Sequence, residues 1–183
     1  MHTSMRKLIT ILLLVSTFHT TNAYASYGAS FNFPLETSTP PYLRGYQLML
    51  NYDPKTIVWH GFDLYFDAGF SRFWVSNQTN HKSLNIYSIA PVVRYSFKKY
   101  GQITPYLELS IGASYLSKTR LDGRNLGIHF AFQDRGGFGA LWAINNQQLS
   151  FSLHAIHYSN ARMSEHNSGI TVPLALDIGY QFS

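Results

Sequence analysis

The stretch ITPYLELSIGASY, residues 103–115, decides the fold. Ile103, Pro105, Leu107, Leu109, Ile111, Ala113 and Tyr115 fall on one face of an extended chain. Thr104, Tyr106, Glu108, Ser110, Gly112 and Ser114 fall on the other, because successive side chains of a strand point to opposite sides. The same period recurs from Val58, where Phe62, Leu64, Phe66, Ala68 and Phe70 alternate with Asp63, Tyr65, Asp67, Gly69 and Ser71. It recurs near the C-terminus, with Val172, Leu174, Leu176, Ile178, Tyr180 and Phe182 against Pro173, Ala175, Asp177, Gly179 and Gln181. Eight alternating segments are predicted, near 27–34, 42–52, 57–75, 84–97, 103–117, 127–143, 148–160 and 171–182.

Their connections alternate in character. Asp53-Pro54-Lys55-Thr56, Lys98-Lys99-Tyr100-Gly101 and Asn145-Asn146-Gln147 are tight turns, whereas 35–41, 76–83, 118–126 and 161–170 are longer and polar. An even strand count, with short turns at one end and long loops at the other, is the signature of an eight-stranded antiparallel transmembrane β-barrel of the bacterial outer membrane. The apolar faces then meet lipid, and Asp63, Asp67, Glu108, Arg135, His154 and Asp177 point into the lumen. His129 is expected in the lumen as well. A soluble barrel or sandwich would put the polar face in water and load it with Lys and Glu. Here that face carries Ser, Gly, Tyr and a few acids.

Composition narrows the function classes. The chain has 183 residues, of which 16% are aromatic and 13% charged, against roughly 25% charged in an ordinary soluble domain. So much aromatic and apolar content excludes disorder. With no cysteine there is no disulfide scaffold, thiol nucleophile or cysteine metal site. A net charge of +5 is too modest to imply nucleic acid as a partner. No His, Asp or Glu cluster has metal-ligand spacing and no glycine loop suits a phosphate, so no cofactor or metal is expected. Residues 1–25 read as a cleaved export signal: Arg6 and Lys7 precede the apolar run Leu8–Phe18, and Ala23-Tyr24-Ala25 gives a cleavage site. The barrel is then residues 26–183.

The seventh segment carries the candidate chemistry. By strict alternation His157 and Ser159 share the lipid-facing side with Leu149, Phe151, Leu153 and Ala155. Two residues along a strand span about 6.6 Å, so the two side chains are neighbours. Polar groups facing hydrocarbon are unfavourable unless they have work to do there, and a histidine beside a serine is the minimal base and nucleophile for acyl transfer. H-x-S alone is common by chance. A site on the outer wall would act on a membrane lipid.

The run His157-Tyr158-Ser159-Asn160-Ala161, followed by Asn167-x-Gly169-Ile170, resembles the signature of lipid A 3-O-deacylases. So do Ile103 to Gly112 and Asn125-Leu-Gly-x-x-Phe-x-Phe-Gln-Asp-Arg135-Gly136. The resemblance implies an outer-membrane serine esterase that hydrolyses the 3-linked acyl ester of lipid A in the outer-leaflet lipopolysaccharide, releasing a hydroxy fatty acid. It implies Ser159 as nucleophile and His157 as general base. Asn160 and Asn167 match asparagines around the oxyanion site, and Asp134 matches an aspartate of functional importance. It leaves room for a homodimer.

Two departures stand out. Where family members carry a glutamate that orients the imidazole, this chain has Thr171. Glu165, Asp134, or a Ser–His dyad with an Asn or Thr171 holding the ring are the alternatives, and a weakened or inactive barrel with a structural or lipid-binding role is the second functional reading. Arg162 replaces a frequent glycine, and would restrict the backbone if its N–H lined the oxyanion site. Lys82, Lys118, Arg120, Arg124 and Arg162 lie in or beside the long loops, as phosphate ligands or as solvated charge.

Overall fold

The computed structural model describes residues 25–76, 82–145 and 147–182. The expected export signal therefore lies outside the described residues, apart from Ala25. Eight long strands make the wall: β1 (Ser26–Glu36), β2 (Leu43–Asp53), β3 (Phe62–Val75), β4 (Ser83–Ser96), β5 (Ile103–Leu116), β6 (Phe130–Ile144), β7 (Gln147–Ser159) and β8 (Ile170–Phe182). Each pairs antiparallel with the next in sequence, and β8 pairs with β1, so the sheet closes. Short ladders add Val58–Trp59 against the foot of β3 and a hairpin of Arg120–Leu121 with Arg124–Asn125 in the loop before β6.

The pleat sorts side chains as the alternation requires. Leu109 and Ile111 are 70% and 68% exposed, whereas Glu108 and Ser110, alternating with them, are 4% and 6%. Large apolar groups facing out and polar groups facing in is the opposite of a water-soluble sheet, and it is the arrangement of a barrel wall in hydrocarbon. The molecule is an eight-stranded antiparallel transmembrane barrel.

The lumen is filled in two layers. Toward the long loops, Phe73, Leu84, Ile86, Leu116, Ile156 and Val172 belong to an apolar plug that also takes in Leu121 and Leu126 from the loop before β6. Deeper, charges are paired. Glu108 accepts hydrogen bonds from Arg94 Nη2 (2.9 Å) and Tyr65 Oη (2.9 Å), and its other oxygen lies 2.7 Å from His154 Nε2. Arg135 pairs with Asp67 and stands 3.9 Å from Glu108. Arg94 also stacks over Tyr106, 4.3 Å from the ring centre. Gly137 on β6 has the His154 ring against its α-carbon, so any side chain there would displace the imidazole from Glu108.

One register irregularity matters for the site. Between β7 and β8 the pairing runs His154 to Ala175, then Ile156 to Val172. Pro173 and Leu174 together oppose Ala155, which is a β-bulge. Proline has no N–H to give to the ladder, so the extra residue sits there. The slip inverts the end of β8: Val172 is buried in the lumen instead of facing lipid, and Thr171 turns outward. The expectation for His129 is also corrected. Its ring stacks on the outward Tyr115, centroids 5.5 Å apart, while Nδ1 lies 2.5 Å from the Leu116 carbonyl.

The loop after β7 opens with two successive residues in the left-handed region, Ala161 (φ 51°) and Arg162 (φ 64°). The Arg162 N–H donates to Asn160 Oδ1 at 2.9 Å, a side-chain turn that selects this conformation. The N–H is thus engaged by Asn160.

Two outcomes are expected. Glu108→Ala leaves Arg94 and His154 without their carboxylate in a buried layer, at a cost of about 3 kcal/mol, read as a lower urea midpoint for loss of the folded band on unboiled gels. Arg162→Gly removes a left-handed penalty of roughly 1 kcal/mol and raises that midpoint.

Candidate active site on the outer wall

The end of β7 presents His157 and Ser159 outward, since Ile156 and Tyr158 are buried in the lumen. In the cross-strand row through His157, Asp134 lies on β6 and Thr171 on β8, with Ile111 beyond Asp134 on β5. The imidazole takes the β8 side: Nδ1 is 2.9 Å from Thr171 Oγ1. Thr171 is fixed in turn by the loop after β1, its N–H donating to the Thr39 carbonyl (2.9 Å) and its carbonyl accepting from Ser38 and Thr39. Asp134 flanks the histidine from the opposite strand. Glu165 is exposed in the 161–169 loop and makes no side-chain hydrogen bond among the described residues. Of the proposed ring-holders, then, Thr171 is the one in contact.

Gly169 (φ +58°) shows where the rest of the ring points. A β-carbon there would lie 3.2 Å from His157 Cε1 and 3.7 Å from Nε2, so the Nε2 edge is turned toward the segment that also borders Ser159. Ser159, Asn167 and Gly169 line a small pocket of about 10 Å³, closed behind by Leu116 and Tyr158. That is space for a single oxygen atom rather than a molecule. Below the histidine runs an open trough of about 380 Å³ on the outer wall. Its floor is Gly136 and Ala155, paired across β6 and β7, and Leu109 and Ile111 form its far side.

The two asparagines have different positions. Asn160 is buried. Its Nδ2 is surrounded by the Leu126 carbonyl (3.0 Å), Ser164 Oγ (2.8 Å) and the His166 carbonyl (2.7 Å), and its N–H donates to Asn167 Oδ1 (2.9 Å). With those donors engaged, Asn160 holds the loop together. Asn167 accepts through Oδ1, which leaves its Nδ2 as the amide donor beside Ser159.

Sequence reasoning missed the clamp that carries this loop. Arg124, read as a phosphate ligand or solvated charge, donates to the carbonyls of Ser168 and Gly169. Ser168 N–H donates to the Asn125 carbonyl, and Gly127 packs against Ser164 and His166 so closely that only glycine fits. The Asn125-Leu126-Gly127 run is thus the platform on which the 160–169 loop rests. Its spacing in the sequence hinted at importance without revealing this contact.

Comparison with known proteins bears on this arrangement. The family model described as lipid A 3-O-deacylase matches residues 44–181. A curated relative, the lipid A deacylase of Pseudomonas aeruginosa, is 39% identical over 106 residues, and the match spans 58% of each protein. The crystal structure of the outer membrane enzyme PagL superposes with a TM-score of 0.70 at 30% identity, covering 85% of this chain and 98% of that one. Neisserial surface protein A shares the fold alone, with a TM-score of 0.57 at 14% identity over 86% and 96% of the two chains. The chain belongs to the lipid A 3-O-deacylase family.

Proposed function

We propose that the protein is an outer-membrane esterase that removes the 3-linked acyl chain of lipid A, with Ser159 as nucleophile and His157 as base. The observation that carries this reading is the row on the outer wall. It holds an imidazole by Nδ1, sets the Cε1–Nε2 edge against Gly169 beside Ser159, and stands over an apolar trough that only a membrane lipid can enter.

The chemistry follows from those positions. With the Nδ1 proton donated to Thr171 Oγ1, Nε2 keeps its lone pair and accepts the Ser159 proton as Oγ bonds to the ester carbonyl carbon. For the tetrahedral oxyanion, the donor we assign is Asn167 Nδ2. The carbon–oxygen bond to the sugar breaks, and Nε2 returns the proton to the leaving sugar oxygen. Water, deprotonated by the same nitrogen, then releases the acyl group from Ser159 as a hydroxy fatty acid. Asp134, beside His157 in the row and lining the trough, is assigned to substrate contact. Each role is carried by this chain's own side chains.

Thr171 sets the rate. A hydroxyl fixes the tautomer and orientation of the ring but supplies no negative charge to the imidazolium that forms. In serine proteases the corresponding carboxylate contributes up to about 10⁴ in turnover, so the site is expected to be slow. This is also what favours the second reading, a barrel of reduced activity that retains lipid binding.

Mass spectrometry of lipid A from cells expressing the wild type is expected to show loss of one hydroxyacyl chain, and Ser159→Ala is expected to abolish it. Identical profiles would overturn the esterase. With purified protein, Thr171→Val is expected to lower turnover by about tenfold through loss of one hydrogen bond to a charged ring, and Thr171→Glu to raise it above wild type.

A further inference from the structure

The wall diametrically opposite the histidine carries two arginines that the reaction does not use. Arg72 on β3 and Arg44 on β2 both face outward, since Ser71, Phe73, Leu43 and Gln47 beside them are buried in the lumen. Arg44 is paired with Trp74 and Arg72 with Tyr46, so the arginines are diagonal neighbours, about 7–8 Å apart at the α-carbons. Strand β3 is four strands from β7 in either direction round the barrel. A lipid whose ester is at Ser159 does not reach them.

Their surroundings define a ligand. Tyr46 and Trp74 lie edge to face between the arginines, centroids 6.4 Å apart, and such aromatic side chains mark the membrane interface of a barrel. Both guanidinium groups are exposed, and among the described residues no acid lies within ion-pair distance of either. Arg72 Nη1 donates to Asn85 Oδ1 at 3.4 Å. A cation on a lipid-facing wall is unfavourable without an anion, and paired guanidinium groups suit phosphate oxygens. One strand beyond Arg72 an open apolar trough of about 510 Å³ runs from β4 across β5 to Phe130 of β6, with Ile89 and Ala113 at its base and Tyr87 and Tyr115 beside it. Tyr87 also packs on Phe70 of β3, centroids 5.4 Å apart, so the trough begins one strand from Arg72.

We infer that Arg44, Arg72 and this trough form a second lipid site, which holds a lipid A molecule of the outer leaflet by a phosphate and one acyl chain without cleaving it. Charge selects the phosphate, and the trough beside it selects a molecule that carries hydrocarbon chains below that phosphate. The site seats the barrel among its own substrate molecules, with its arginines on the far wall and its trough ending on β6, one strand short of β7.

The test counts bound lipid A on the full barrel by native mass spectrometry in detergent, in a Ser159→Ala background that prevents turnover. Two bound copies are expected. The pair Arg44→Ala and Arg72→Ala is expected to weaken one of them about tenfold or more. Ala155→Trp, which fills the trough under His157, is expected to remove the other copy. Without any substitution, lipid A stripped of its phosphates is expected to bind as a single copy. The inference is overturned if the arginine pair retains both copies at unchanged affinity, if phosphate-free lipid A still binds twice, or if phosphatidylglycerol displaces the second copy as readily as lipid A itself. Failure of Ala155→Trp alone would count against the catalytic reading and not against this one.

Discussion

Hydrocarbon offers no partner to a backbone N–H or C=O, so a sheet that crosses a membrane must have no edge. Pairing β8 with β1 meets that demand, and most of what is distinctive in the molecule follows from it. Closure of only eight strands leaves an interior just wide enough for side chains. That interior is occupied by the Glu108, Arg94, Arg135 and Asp67 pairs below and the apolar plug around Phe73 and Ile156 above. No substrate can be housed inside. Chemistry performed by such a barrel has to be mounted on its outer surface, where the pleat allots every second residue of every strand.

That constraint made much of the fold and part of the site legible in the sequence. A strand with one face in lipid and one in a packed lumen cannot slip register without burying its polar set in hydrocarbon. The alternation over Ile103–Tyr115 was therefore a reliable guide to direction, and so was that over Leu149–Ser159, since β6 and β7 pair without a break from Gln147 to Ser159. Strict alternation failed at two places, His129 just before β6 and the end of β8. Alternation counts residues, and a bulge adds one. Pro173 was the available signal, because a residue lacking an N–H in an internal strand marks a disturbed ladder. Read without it, Thr171 belonged to the lumen and Val172 to the lipid. The structure exchanges them and thereby delivers a hydroxyl to His157.

The loop chemistry was less legible for a different reason. Asn160 occupies a position where an amide beside Ser159, the proposed nucleophile, invites an oxyanion role. What determines its job is a carbonyl 34 residues away, at Leu126, together with Ser164 and His166. Arg124 is likewise an ordinary loop charge until its carbonyl partners at Ser168 and Gly169 are known. Contacts between two irregular segments have no period, so neither hydropathy nor spacing announces them. The motif Asn125-Leu-Gly and the motif around Asn160 look separate along the chain and are one structure in space.

Placed together, these features explain how a site without a carboxylate on its histidine can still be well ordered. The imidazole is held on three sides by backbone-anchored elements: Thr171, secured by the loop after β1; Gly169, secured by Arg124; and its own strand, paired on both edges. Orientation and charge are separable contributions to a base. The first needs only a hydrogen-bond acceptor of fixed position, which a threonine hydroxyl provides; the second needs an anion, which this row holds one strand away at Asp134 and not in contact through Nδ1. On a surface facing lipid, a second buried charge at position 171 would carry a desolvation cost of several kcal/mol unless the imidazolium were always there to meet it. A neutral hydroxyl at 171 adds no second charge to a row that already holds Asp134, at the expense of less support for the imidazolium of the proposed reaction.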